Sequence, residues 1–167
     1  MKNFLFWRTY ELIAGIIDGI IPFATLFSEK VDEWVRLRRV FPAVPVSENS
    51  RLILLHCSSA GEVEMSIPLV KKIKELYGDR IRIMYSLWSS SALTHPSISS
   101  REFPFFFLPL DTYPKMEGVL KTINPLAIFV VKYELWLNFF KCAYLKNIPL
   151  FPVSFRLNHE KFEKNGI

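Results

Sequence analysis

What this chain of 167 residues lacks narrows its possible roles. It has only two cysteines, Cys57 and Cys142, both in apolar segments and without CxxC spacing, which argues against a disulfide scaffold and a zinc site and fits a reducing, cytosol-facing location. Its three histidines, His56, His95 and His159, lie far apart and none belongs to an HExxH pair, so no metal is implied. No GxGxxG and no GxxxxGKS/T occurs, so nothing here is built to cradle a nucleotide diphosphate; an acceptor role fits better. There is no Lys/Arg-rich run with interleaved aromatics, and the net charge of +5 is spread in mixed clusters, so nucleic acid is not the expected partner. No internal repeat appears.

Uninterrupted apolar length is also missing. The opening MKNFLFWRTYELIAGIIDGIIPFATLF is rich in aromatic and aliphatic residues but broken by Arg8, Glu11, Asp18 and Pro22. A membrane-spanning helix needs about 20 mostly apolar residues, and no small-residue cleavage site marks a signal peptide. The segment reads as interfacial, with Trp7 and its neighbouring phenylalanines at headgroup level and Arg36, Arg38 and Arg39 placed to meet anionic lipid. A buried N-terminal helix of a soluble fold is the alternative.

What the chain does have, beyond a Pro-containing linker at 41–50, is alternating strand and helix signals. RLILLH (51–56), RIRIMYS (80–86), FFFLPL (105–110), LAIFVV (126–131) and IPLFPVS (148–154) read as strands. Helical patterns follow the first strand to about Tyr77, then cover YPKMEGVLKTI and ELWLNFFKCAYLK, while SLWSSSALTHPSISS reads as a polar connection with a short helix. Short apolar runs alternating with amphipathic helices predict an α/β fold: a parallel sheet with helices on both faces.

In open parallel sheets ligands sit beyond the carboxyl ends of the strands, where the strand order reverses. With the order 3-2-1-4-5, the loops after His56 and Val131 flank that crevice; they carry Glu62 and Glu134, and Arg156 follows the fifth strand on the same edge. Each has a structural alternative. Ser59-Ala60-Gly61-Glu62 matches a capping box, in which Glu62 bonds back to the N-cap amide. Against that, Pro68 predicts that the regular helix begins nearer Pro68 and leaves Glu62 in a loop. Glu134 reads equally as a first-turn acid, and Arg156 as a solvated charge or the partner of Glu134. Gly61 permits close backbone approach to a ligand.

Three motifs then agree in order and spacing: His56-Cys57-Ser58-Ser59-Ala60-Gly61-Glu62-Val63 with Ile67-Pro68-Leu69-Val70; Lys132-Tyr133-Glu134-Leu135-Trp136 with Asn138; and Val153-Ser154-Phe155-Arg156-Leu157. Together they resemble the N-terminal half of the bacterial 3-deoxy-D-manno-octulosonic acid (Kdo) transferases, including a hydrophobic N-terminal segment followed by arginines. The resemblance implies a Rossmann-like acceptor-binding domain at 51–167 of a GT-B glycosyltransferase. A hydrophobic, membrane-associating helical segment at 1–40 precedes it, and the donor-binding C-terminal domain is expected to be absent from this chain. It implies Kdo transfer from CMP-Kdo to the lipid A precursor in lipopolysaccharide synthesis, at the cytoplasmic face of the inner membrane and beside anionic lipid. By the same resemblance Glu62 is the general base, Ser59, Gly61, Glu134 and Arg156 contact the acceptor, and no cofactor or metal is needed. The chain departs from the family pattern at Leu137, where a proline is usual, and at Leu87-Trp88-Ser89-Ser90-Ser91, where a threonine-rich motif is usual. A non-catalytic lipid- or saccharide-binding remnant and a soluble α/β scaffold are the rival readings.

Overall fold

The computed structural model describes residues 2–39, 51–132 and 135–154. The 41–50 linker, Glu134 and Arg156 therefore lie outside the described residues. Two helices, α1 (Lys2–Ala24) and α2 (Glu29–Arg39), precede β1 (Arg51–Cys57), α3 (Ala60–Tyr77), β2 (Ile81–Leu87), α4 (Pro96–Ser99), β3 (Phe105–Phe107), α5 (Tyr113–Ile123), β4 (Ala127–Val131), α6 (Leu137–Leu145) and β5 (Leu150–Val153). The five strands form one parallel sheet in the order β3-β2-β1-β4-β5, so the expected Rossmann-like α/β arrangement, preceded by a helix, is what the chain adopts.

The central strand shows why. Alternate residues of a strand point to opposite faces, and here both faces are covered. Leu52 and Leu54 enter a core with Met116, Leu120 and Phe139 of α5 and α6. Ile53 and Leu55 enter a second core with Val63, Val70 and Ile73 of α3. Each such buried side chain contributes about 1.5–3 kcal/mol, which fixes the register of the sheet and the direction of its carboxyl edge.

Three local expectations are corrected. Helix α3 begins at Ala60, not near Pro68, and Pro68 lies inside it. Pro68 and Glu64, whose carbonyl loses its helical partner, are both exposed residues, so the proline falls on the solvent side of the helix. Strand β3 stops at Phe107, with the Leu108 amide still donating to the Leu87 carbonyl at 2.8 Å before Pro109 ends the pairing. Helix α6 begins at Leu137, later than the apolar pattern predicts, because its first amides are capped from another element: the buried Asp111 carboxylate accepts from the N–H groups of Asn138 and Phe139, both at 2.9 Å.

No single helix among the described residues is long and apolar enough to cross a membrane; Leu5–Ala24 and Glu29–Arg39 meet that test only as a pair bent by 115°. Helix α1 is anchored to the domain along one face. The Tyr10 hydroxyl donates to Asp111 (2.6 Å), Asp18 pairs with Lys115, and the Lys141 ammonium lies over the Trp7 ring. The opposite face leaves Leu12, Ile16, Ile20 and Phe23 exposed.

Arg38 does not reach outward for lipid. Its guanidinium donates to the carbonyls of Trp34, Trp88 and Leu108 and lies 3.5 Å from the Trp34 ring centre, and burial pushes its pKa down to about 9. It clamps α2 onto the ends of β2 and β3. Arg36 is exposed and pairs with Asp32 at 3.0 Å, and Arg39 is exposed.

Candidate functional site

The carboxyl edge of β1 is where chemistry-bearing residues gather. After Cys57 the chain turns through Ser58 and Ser59 into α3, with Ser59 at the N-cap in extended geometry. The Ser59 carbonyl accepts from the amides of Glu62 and Val63, each at 3.1 Å, while its hydroxyl makes no capping bond. The Glu62 carboxylate folds back and accepts from the Ser58 amide at 2.5 Å. This differs from a capping box by one residue: the amide served precedes the N-cap. An amide donor and a helix N-terminus both favour a carboxylate anion.

Glu62 is 7% exposed, yet the space beside it is open. Its neighbour Gly61 is exposed, and a Cβ added there would meet nothing within 4 Å. The Ser58 hydroxyl, also buried, has no hydrogen-bond partner among the described residues. Burial and the charge of Glu62 both push the Cys57 thiol up, which leaves it protonated and unsuited to nucleophilic work.

His56 connects this turn to the loop after β4. It is fully buried, and its Nε2 accepts from the Trp136 indole N–H at 2.9 Å. Because an indole nitrogen only donates, Nδ1 carries the proton and donates to Ser86 Oγ at 3.0 Å. Desolvation lowers the His56 pKa to about 4, so the ring is neutral near pH 7 and both nitrogens are occupied. Trp136 in turn packs on Trp88, ring centres 4.2 Å apart, and Trp88 meets Trp34 at 5.4 Å. Ser89 completes the frame by donating its amide to the Ser58 carbonyl at 2.9 Å. Thus the turns after β1, β2 and β4 are bonded into one rim.

The rim carries strain as well. Lys132 and Ser154, just after β4 and β5, have φ of 62° and 56°, a left-handed backbone that L-residues adopt at a cost and that clusters at functional sites. Of the residues expected at the site, Ser59, Gly61 and Glu62 stand together on this rim, and the Glu134 and Arg156 assignments have no described coordinates to meet. Among the described residues no group of three or more His, Cys, Asp or Glu is placed to hold a metal ion. His56 and Trp136 belong to the first and second sequence motifs, which give neither a role. A neutral histidine closing a strand and an indole N–H four residues after Lys132 carry no local sign that they bond each other. Asp111 was missed entirely: before Thr-Tyr-Pro it resembles a local turn residue, and its partners lie in α1 and α6.

The parallel, Rossmann-like sheet thus carries a buried carboxylate at its carboxyl edge, the edge at which open α/β sheets bind their ligands. Residues 34–166 match the family described as 3-deoxy-D-manno-octulosonic-acid transferase (kdotransferase), and the chain belongs to that family. It is 25% identical over 115 residues to a 3-deoxy-D-manno-octulosonic acid transferase of Haemophilus influenzae, covering 68% of this chain and 27% of that one. It is 27% identical over 169 residues to a probable mitochondrial 3-deoxy-D-manno-octulosonic acid transferase of Arabidopsis thaliana, covering 93% and 36%. A bifunctional glycosyltransferase/methyltransferase of Fusobacterium nucleatum matches at 25% over 120 residues, covering 70% and 18%. The chain thus spans between about a fifth and about a third of the length of these curated relatives.

Proposed function

We propose that this chain is the acceptor-binding part of an inverting Kdo transferase of the GT-B type, acting on the lipid A precursor in lipopolysaccharide synthesis. The observation that carries this reading is the placement of Glu62: a carboxylate on the rim of the crossover edge, beside the open space at Gly61, in a turn bonded to the Trp136 segment through His56. Membership of the family and relatives named as Kdo transferases support it.

In this mechanism the acceptor sugar hydroxyl enters beside Gly61 and gives its proton to the Glu62 carboxylate. The hydroxyl oxygen forms a bond to the anomeric carbon of Kdo from the opposite side, and the bond from that carbon to the phosphate oxygen breaks, so CMP leaves with the electron pair and the configuration inverts. One positioned carboxylate is enough, and such a base contributes typically 10²–10⁴-fold. His56 is not the base, because Trp136 occupies its free lone pair and burial disfavours the imidazolium that taking a proton would form. Ser59 and Gly61 border the acceptor, Glu134 orients it, and Arg156 meets a phosphate or carboxylate. CMP-Kdo is assigned to a second domain, in keeping with the share of the relatives' length that this chain matches.

The exposed face of α1 is assigned to the cytoplasmic leaflet of the inner membrane. Its inner face is tied to Asp111 and Lys115, so α1 lies in the interface plane and the α5–α6 side of the domain faces the bilayer. The purified chain should bind vesicles containing the lipid A precursor more tightly than equally anionic vesicles without it, and should transfer Kdo from CMP-Kdo only when a donor-binding domain is supplied. Equal binding to both vesicles, or full transfer by the chain by itself, contradicts the assignment.

A further inference from the structure

A cavity of about 520 Å³, well within the range of small-molecule sites, separates α1 and α2 from α5 and the segment after β3. Its walls are apolar, with Ile21, Trp34, Val35, Leu110 and Val119 among them. Its rim is cationic: Arg38, Arg39 and Lys115 stand against one acid, Asp18. Asp18 is engaged by Lys115 and the Arg38 guanidinium by carbonyls, which leaves the exposed Arg39 as the cation turned to solvent on that rim.

Gly118 is the second observation. It lies in the middle of α5, where glycine costs roughly 1 kcal/mol relative to alanine. No fit to the rest of the protein requires it, since a Cβ there would meet nothing within 4 Å, and its φ is not in the left-handed region. It lines the cavity. Exposed and lining the cavity, the glycine leaves room there for a ligand at the expense of its own helix.

We propose that this cavity binds one anionic phospholipid of the bilayer, its acyl chain lying against Trp34 and Gly118 and its phosphate at Arg39. The inference rests on the reading of α1 as membrane-facing. Ile21 and Pro22 wall the cavity while Ile20 and Phe23, on the same helix, are exposed, so the cavity opens beside the surface assigned to lipid. Positive charge near an apolar slot favours an acylated phosphate of net negative charge over a neutral or zwitterionic lipid, whose own cation offsets its phosphate. The acceptor is assigned elsewhere, to the turns after β1 and β4, so the occupant here is a bilayer lipid that seats the domain on the leaflet.

The test uses the full chain, delipidated in neutral detergent and titrated with phosphatidylglycerol or phosphatidylcholine while bound lipid is counted by native mass spectrometry. One phosphatidylglycerol should bind saturably, with phosphatidylcholine roughly tenfold weaker or more. Gly118→Leu fills the cavity and should abolish that binding without lowering the melting temperature, since leucine is the better helix former. Arg39→Glu, at an exposed position, should weaken it by a similar factor. Both variants should still co-sediment with anionic vesicles, because the outer face of α1 is unchanged; failure of the wild-type chain to co-sediment would strike the membrane reading itself. Undiminished phosphatidylglycerol binding by Gly118→Leu, equal retention of phosphatidylcholine, absence of any retained lipid, or displacement of phosphatidylglycerol by the lipid A precursor would each overturn the proposal.

Discussion

Helix α1 and strand β1 are both dominated by large apolar residues, and the fold treats them in opposite ways. Every residue of β1 after Arg51 is buried, with side chains alternating between two cores. Among the described side chains of α1 only Ala14 is buried, and Phe23 and the adjoining Phe27 are 69% and 88% exposed. Apolar composition thus says that a segment avoids water but not what covers it. The domain covers β1 with its own helices; α1 lends one face to the domain through Tyr10 and Asp18 and keeps a contiguous apolar face that nothing in the described residues covers. Such a patch marks an interaction surface.

Substitutions in the two segments should separate in the same way. The largest effect belongs to β1: Leu54, fully buried, should cost about 2–5 kcal/mol when changed to alanine, read as a lowered midpoint of denaturant unfolding. The end of the same strand gives the next. Unfolded, His56 titrates near 6.5; folded, near 4. Above pH 6.5 both states are neutral and the full stability is present. Between 6.5 and 4 only the unfolded chain takes up the proton, so stability falls with pH through that window, by about 3 kcal/mol in total. His56→Gln should flatten that part of the stability-versus-pH curve; an unchanged slope would show that His56 does not titrate there. The smallest effect belongs to α1. Ile20→Ser should change unfolding stability by no more than about 0.5 kcal/mol while reducing vesicle co-sedimentation. A cost comparable to that of Leu54→Ala would break the contrast, since it would mean that α1 is covered by its own fold.

The sheet was legible in the sequence because its inner strands β1, β2 and β4 are buried on both faces and so read as short continuous apolar runs. The order 3-2-1-4-5, taken as the usual one for such a sheet, is the order found, and α5 has the limits its pattern predicts, with Pro114 at the helix start and Asn124 at its left-handed end. The site was legible in part: the motif at His56–Val63 located the rim. The start of α3 was not, because the cost of Pro68 depends on whether its side of the helix faces solvent, which no local pattern records. Nor was the inward turn of Arg38. A basic residue after an apolar segment reads as a lipid contact, and its real partners, the carbonyls of Trp88 and Leu108, are far along the chain. Asp111 was hidden for the same reason, its carboxylate serving α1 and α6 at once.

The reading turns on whether Glu62 is there for the helix or for the chemistry, and its bond to the Ser58 amide allows the two roles to be separated. Glutamine keeps an oxygen that accepts this bond but takes no proton from a hydroxyl. In a reconstituted system containing CMP-Kdo, the lipid A precursor and a donor-binding domain, Glu62→Gln should match the wild-type chain in melting temperature and acceptor binding while losing on the order of 10²–10⁴-fold in the rate of Kdo transfer. Near wild-type transfer by Glu62→Gln, alongside a Glu62→Ala variant destabilised by about 0.5–2 kcal/mol, would show a capping carboxylate and contradict the assignment of Glu62 as the base.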